Sequence, residues 1–220
     1  MKPYRLSVLL SLALVTGARL AATTIDIGAT DDRTAGVSAG VANSLQSDND
    51  VFLRTFGVSS VWRSALEFSL TSLTGPITIN SATLRLVDAG TEVAGTIQVH
   101  GYTGDGVVTL GDFGYSNLLT SYNTTDTSSV IRVHLLDVTS FIQDQIDANS
   151  SFSGFMLRSS NEGLFQGADI ASSEWSDPNY RPLLTIDYSA AATPDGGTSA
   201  VMIGASLVVL ATVRRRLVRS

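Results

Sequence analysis

The sequence predicts an all-β protein, an antiparallel β-sandwich with one short helix, and three observations lead there. Apolar and polar residues alternate with a period of two in several short runs. Clusters of Gly, Ser, Thr, Asn and Asp separate those runs. One stretch alone keeps helical spacing. Many short strands joined by such turns indicate a sandwich.

Taken in chain order, the first strand candidate is Val51 to Thr55. Next, Ser64, Leu66, Phe68 and Leu70 alternate with Arg63, Ala65, Glu67 and Ser69, the pattern of a half-buried strand. Ala82 to Val87 follows, closed by the turn former Asp88-Ala89-Gly90. Ile97 and Val99 alternate with Gln98 and His100, ahead of a second turn former, Gly104-Asp105-Gly106. Ile131, Val133 and Leu135 alternate with Arg132 and His134. Val138, Phe141, Ile142 and Ile146 then take helical spacing, with Asp137 or Thr139 to cap the first turn and Asn149 to close the last. This helix plugs one end of the sandwich. Phe155 to Arg158 and Leu183 to Tyr188 complete the strands.

The two ends of the chain have a different composition. Lys2 and Arg5 precede the apolar run Leu6 to Val15, and small residues follow at Ala18, Ala21 and Ala22, so residues 1–22 read as a signal peptide. The cut falls between Ala18 and Thr23, with Thr16-Gly17-Ala18 and Leu20-Ala21-Ala22 as competing recognition triplets. Residues 23–188 form the β-sandwich domain and 189–193 a short spacer. Residues 194–220 hold a turn motif, Pro194-Asp195-Gly196-Gly197, an apolar span at 198–213, and the basic residues Arg214, Arg215, Arg216 and Arg219. The span is short against the roughly 20 residues a membrane helix needs, as suits a processed segment. The arginines after it favour a cytoplasmic C-terminus and place everything before Pro194 outside.

This tripartite tail resembles a PEP-CTERM sorting signal, in the variant where Pro-Asp-Gly-Gly stands in for Pro-Glu-Pro. The resemblance implies an exosortase-type transpeptidase as partner, cleavage near Pro194, and a Gram-negative bacterium that makes extracellular polysaccharide. Thr193 stands where the variant usually has Val. Passage through the inner membrane and delivery to the cell surface or extracellular matrix follow from it.

A second resemblance covers most of the region between the signals. Ser64 to Leu70, Ile79 to Leu86, Leu136 to Phe141 and Arg181 to Tyr188 follow one another as blocks that look like a DNRLRE-type domain, a module found in disaggregatase-related proteins. It implies a jelly-roll-like sandwich similar to carbohydrate-binding modules. The family usually has Arg-Phe-Asp where this chain has Leu66-Glu67-Phe68, and the tryptophan that often follows its middle strands is missing after Tyr102.

Charge and residue inventory narrow the function. Between Thr23 and Thr193 there are 19 acidic residues, seven arginines and no lysine, a formal charge of −12. That opposes nucleic acid and anionic membrane surfaces, which need cationic patches. The chain has no cysteine, so thiolate chemistry and cysteine metal sites are excluded. A domain of this length buries a sizeable core without disulfides. No Gly-x-Ser-x-Gly, His-Glu-x-x-His or phosphate-cradling glycine loop occurs. His100 and His134, on the presumed outward faces of their strands, read as ordinary surface histidines, and no catalytic residue is assigned.

The aromatic residues Trp62, Tyr102, Tyr115, Tyr122, Trp175 and Tyr180 could offer flat faces to pyranose rings. Trp175 and Tyr180 stand out because Ser173 to Tyr180 reads as a polar loop, and Arg158 and Arg181 could add a cation for an acidic glycan. Asp48, Asn49 and Asp50 gather hard oxygen donors in one loop, a candidate calcium site. Gly104 to Asp112 imitates half of an EF-hand loop, but Gly101 and Thr103 occupy the entry positions and an ordinary turn is favoured. The expectation is therefore a non-catalytic surface or matrix protein that contacts polysaccharide. The alternatives are a polysaccharide lyase or hydrolase, and an inert calcium-stabilised module.

Overall fold

The computed structural model describes residues 22–46, 52–57, 60–128 and 131–190. The expected signal peptide, the expected sorting tail with Pro194, Asp195, Gly196, Gly197, Arg214, Arg215 and Arg216, and the Asp48-Asn49-Asp50 segment lie outside the described residues.

The described residues are mostly antiparallel β-structure with one α-helix. Its strands are β1 (Thr23–Ser38), β2 (Val41–Leu45), β3 (Phe52–Arg54), β4 (Val61–Ser69), β5 (Ile77–Val93), β6 (Gly95–Gly104), β7 (Leu118–Thr124), β8 (Thr127–Ser128), β9 (Arg132–Asp137), β10 (Phe152–Ser159), β11 (Gly167–Ala171) and β12 (Leu183–Ala190). Helix α1 (Thr139–Asp147) follows β9, and short 3-10 turns occur at Leu110–Gly114 and Pro178–Tyr180. The strand order is β3-β11-β5-β12-β1-β4-β10-β6-β7, with β2 added on β1 and with β8 and β9 added on β5. The long strand β1 is shared: Thr23 to Gly28 pair with β12, and Ala29 to Val37 pair with β4 across a register shift between Ala29 and Asp31.

Both groups of strands contribute to one apolar cluster. Leu66, Phe68, Val99, Phe155 and Leu157 come from one group, and Leu84, Leu86, Ile170, Leu184 and Ile186 from the other. Each large side chain taken from water in this way contributes about 1.5–3 kcal/mol. Phe68 and Phe141 each meet Phe155 edge to face at centroid distances of 5.7 and 5.4 Å.

The half-buried reading of β4 is corrected. Arg63, Ala65 and Glu67 are as buried as Leu66 and Phe68, because the chain from Val108 through the turn Leu110–Gly114 covers their face. A second cluster of Ala35, Ala65, Tyr102, Val108, Phe113 and Met156 fills that side. Arg63 is held there by a two-point contact with Glu162, at 2.6 and 2.9 Å, and donates to the Phe113 carbonyl at 2.8 Å. Glu67 accepts the Asp105 N–H at 3.0 Å and also bonds the Gly106 N–H. Burial raises its pKa, against the Gly106 bond that pulls the other way. The Gly104–Gly106 turn is thus an ordinary turn anchored from beneath. Asp105 and Asp112 spend carboxylate oxygens on the Val107 and Thr109 N–H groups.

Three further expectations change. Asp88-Ala89-Gly90 does not turn the chain but lies inside β5, where the register of β11 shifts between Ala168 and Ile170. In β9 the phase is reversed: Ile131, Val133 and Leu135 are 48%, 50% and 68% exposed, while Leu136 is buried and Arg132 and His134 are half-buried. His100 is likewise buried, not a surface histidine. Strand β12 runs on past Tyr188, with Ser189 and Ala190 paired with Thr78 and Ile77.

Helix α1 forms where the periodicity predicts it and turns Phe141 and Ile142 into the main cluster. Its N-cap is Val138, without a side-chain cap; Asp137 Oδ1 instead accepts the Thr139 N–H at 2.9 Å. Asn149, with φ of 56°, ends the helix in the left-handed region, as expected of Asn. Among the described residues no helix is long and apolar enough to cross a membrane.

Candidate functional site

Three separate segments deliver aromatic rings to one open cleft of ≈ 300 Å³. Phe56 follows β3, Trp62 is the second residue of β4, and Phe165 stands in the loop between β10 and β11. The Trp62 N–H donates to the Phe56 carbonyl at 2.8 Å, which fixes these two segments together. Phe56 and Phe165 stack at 5.8 Å with planes 18° apart. Phe165 remains 63% exposed, so one large apolar ring faces solvent at the rim.

Polar groups line the rest of the cleft. Arg54 of β3 lies 3.6 Å from Asp169, its cross-strand partner on β11, and Thr91 of β5 donates its N–H to Asp169 Oδ2 at 3.3 Å. Gly57 allows the loop to close: a side chain there would strike the backbone carbonyls of Glu162 and Leu164. Gly167, at φ of 149°, sits against the Thr55 carbonyl where no other residue fits.

The predicted sugar loop packs on β3, the strand that leads into this cleft. Trp175 meets Phe52 edge to face at 5.1 Å, and Phe52 and Arg54 share one face of β3. Arg181 donates to the Trp175 carbonyl at 2.8 Å, so its guanidinium is engaged in shaping the loop. Tyr180 closes the short turn Pro178–Tyr180, capped by Asp177. Arg158 is elsewhere, on β10, where it donates to Gln98 at 3.2 Å. Arg181 therefore meets Trp175 within this loop, with Tyr180 next to Arg181 in the chain, and Arg158 does not join them. Tyr102 and Tyr115 stack on each other at 4.7 Å, and Tyr122 is buried. Phe56, Phe165, Arg54 and Asp169 were missed in the sequence, because a phenylalanine beside Gly or Leu looks like core.

The loop carrying Trp175 is anchored by a buried acid. Asp32 of β1 accepts the Ser173 N–H at 2.7 Å and its hydroxyl at 3.2 Å. Its pKa is raised to about 7, first by burial, against the Ser173 bond and with the help of the neighbouring Glu174 charge.

Consecutive residues of β5 serve two places. Thr91 lines the cleft, whereas Asp88 and Glu92 are buried in a polar cluster with His134, Tyr122 and Arg132. His134 Nε2 lies 2.8 Å from Asp88 Oδ2, the Tyr122 hydroxyl donates to Asp88 Oδ1 at 3.2 Å, and the His134 and Tyr122 rings lie 4.0 Å apart. Glu92 Oε2 accepts the Thr125 N–H at 3.0 Å and meets Arg132 at 3.2 Å. Burial raises the Asp88 pKa despite His134. Burial also acts to raise Glu92, but bonds from Thr125 and Asp88 and the Arg132 charge outweigh it and hold Glu92 low. Burial and Asp88 push the Tyr122 phenol well above its usual range. Neither carboxylate is open to a substrate: Asp88 is fully buried and Glu92 is 3% exposed.

No family model matches the chain, and no curated protein matches it in sequence.

Proposed function

We propose that the protein is a non-catalytic, exported component of the cell surface or extracellular polysaccharide matrix, and that its jelly-roll-like β-sandwich binds polysaccharide through the cleft of Phe56, Trp62 and Phe165. The observation that carries this reading is the cleft itself. Aromatic rings from three segments face an open trough whose floor holds a guanidinium, a carboxylate and a threonine. Sugar C–H faces pack on exposed rings, and hydroxyls bond the polar floor. An open trough also suits a chain passing through it.

The remaining evidence points the same way. Among the described residues Asp169 is the one carboxylate lining the cleft, whereas glycoside hydrolysis uses two across the scissile bond. The strongly acidic composition opposes nucleic acid as a ligand. The tail from Pro194 onward resembles a PEP-CTERM signal read by an exosortase, and the four strand blocks resemble a DNRLRE-type domain. Pro194 lies four residues beyond Ala190, the end of β12, so a cut there would leave the folded strands intact.

The test is affinity electrophoresis of the purified protein in gels containing extracellular polysaccharides, with Trp62→Ala and Phe165→Ala beside it. Retardation by at least one polysaccharide is expected, with affinity falling about tenfold in each variant, as for loss of one stacking ring. Migration unaffected by every polysaccharide would reject glycan binding.

A further inference from the structure

We propose that Asp88, Glu92 and His134 form a binding site for a divalent first-row transition ion, for which zinc is the probe. The site is independent of the glycan reading. One donor atom from each of these residues lies within 4.8 Å of the other two. They come from two strands: β5 brings Asp88 and Glu92, and β9 brings His134.

Chemistry selects the ion. One imidazole nitrogen with two carboxylate oxygens is a borderline donor set that suits zinc and its neighbours. Calcium and magnesium prefer sets made of oxygen alone, and copper(I) prefers sulfur. The two carboxyl groups also sit close together inside the protein, with donor oxygens within 4.8 Å of each other. Such a pair requires a positive charge between its members, which a proton or a metal ion can supply.

The surroundings orient the donors. The Tyr122 hydroxyl holds Asp88 Oδ1, leaving Oδ2 directed at His134 Nε2. Its ring lies against the His134 ring and fixes the imidazole plane. The Thr125 N–H and hydroxyl hold Glu92 Oε2 at 3.0 and 3.1 Å, and Arg132 meets the same oxygen. Such outer contacts on the ligands are the usual support of a metal centre. The His134 and Arg132 side chains are 11% and 33% exposed, so they mark the path from solvent. A bound ion would clip β9 to β5 beyond their backbone pairing.

The experiment strips the purified protein with chelator and dialyses it against zinc. The expected result is one zinc per chain by metal analysis, and a Tm that rises by about 5–10 °C at a hundredfold excess over Kd. Cobalt in place of zinc should give visible d–d absorption. His134→Ala and Glu92→Gln should lose the stoichiometric ion and the Tm shift. Less than stoichiometric zinc in the unsubstituted protein would overturn the proposal, and that readout stands even if both variants fail to fold. A zinc-dependent shift retained in His134→Ala would overturn it too, by placing the ion elsewhere, as would a shift with calcium and none with zinc.

Discussion

The ring of Tyr102 lies flat against Gly154, its cross-strand partner between β6 and β10. A Cβ on Gly154 would fall within the ring itself, so the missing side chain makes room for the aromatic one. Tyr115 stacks on the other face of Tyr102, with planes 5° apart. Gly154→Ala should therefore displace both rings and destabilise the protein by about 1–3 kcal/mol, as overpacking does. Urea unfolding followed by tyrosine fluorescence checks this, and an unchanged midpoint would refute the packing argument.

Asp32 gives the protein a pH dependence whose sign follows from its environment. Its folded pKa of about 7 lies above the 3.8 usual for an aspartate, so the folded state holds the proton more tightly. The associated stability is fully present below about pH 4 and is lost as pH rises to about 7. Asp32→Asn should remove this loss, which amounts to at most about 4 kcal/mol. The difference in unfolding free energy between the two proteins, measured from pH 4 to 8, should grow across that window in favour of the variant. Taking the difference cancels the contributions of Glu67 and Asp88, whose pKa values are also raised.

Glu162 links the fold to the cleft. It pairs with the buried Arg63, and its carbonyl packs on Gly57 in the loop that carries Phe165. Glu162→Ala should leave a buried guanidinium without its carboxylate and cost about 3–5 kcal/mol. Arg63→Met should cost less, since it removes the charge as well. Thermal unfolding of both variants gives the order, and equal costs would contradict it.

Trp175 and Phe165 should differ in glycan binding. Trp175 leans edge-on against Phe52, whereas Phe165 faces solvent at the cleft. In affinity gels Trp175→Ala should weaken binding less than Phe165→Ala does. The reverse order would move the sugar platform to the Ser173–Tyr180 loop.

The outward row on β9 is a prediction about association. Val133→Lys and Leu135→Lys replace exposed side chains on a strand that pairs with β5, so Tm should change little. Exposed apolar rows on edge strands favour self-pairing, and lysine opposes it. Light scattering at high concentration should show less association in the variants.

Much of the strand pattern was legible because it rests on local alternation. β4, β6, β10 and β12 each hold buried large apolar residues at every second position. β1 was missed because Thr30 to Ser38 carries Asp31, Asp32, Arg33 and small residues, whose burial comes from partners such as Ser173 and Val108 far along the chain. The phase of β9 misled for the same reason. Arg132 and His134 are drawn inward by Glu92 and Asp88, more than 30 residues away, and Ile131, Val133 and Leu135 are left outside. Of the cleft, only Trp62 was foreseen. Phe56 and Phe165 acquire their role by meeting across the fold, and nothing in their neighbours announces it.

The pairing of β1 with β12 fixes how the molecule responds to tension. Thr23 opposite Tyr188 puts the first strand residue beside the last strand, with the chain leaving both at the same end. Pulling the two ends apart would load the ladder one residue pair after another, like a zipper opened from its tab, starting at Thr23 and moving toward Gly28. Such a geometry yields to small forces, because few hydrogen bonds share the load. A load applied between Ala190 and Phe165 would instead pass from β12 through β5 and β11, sparing that seam.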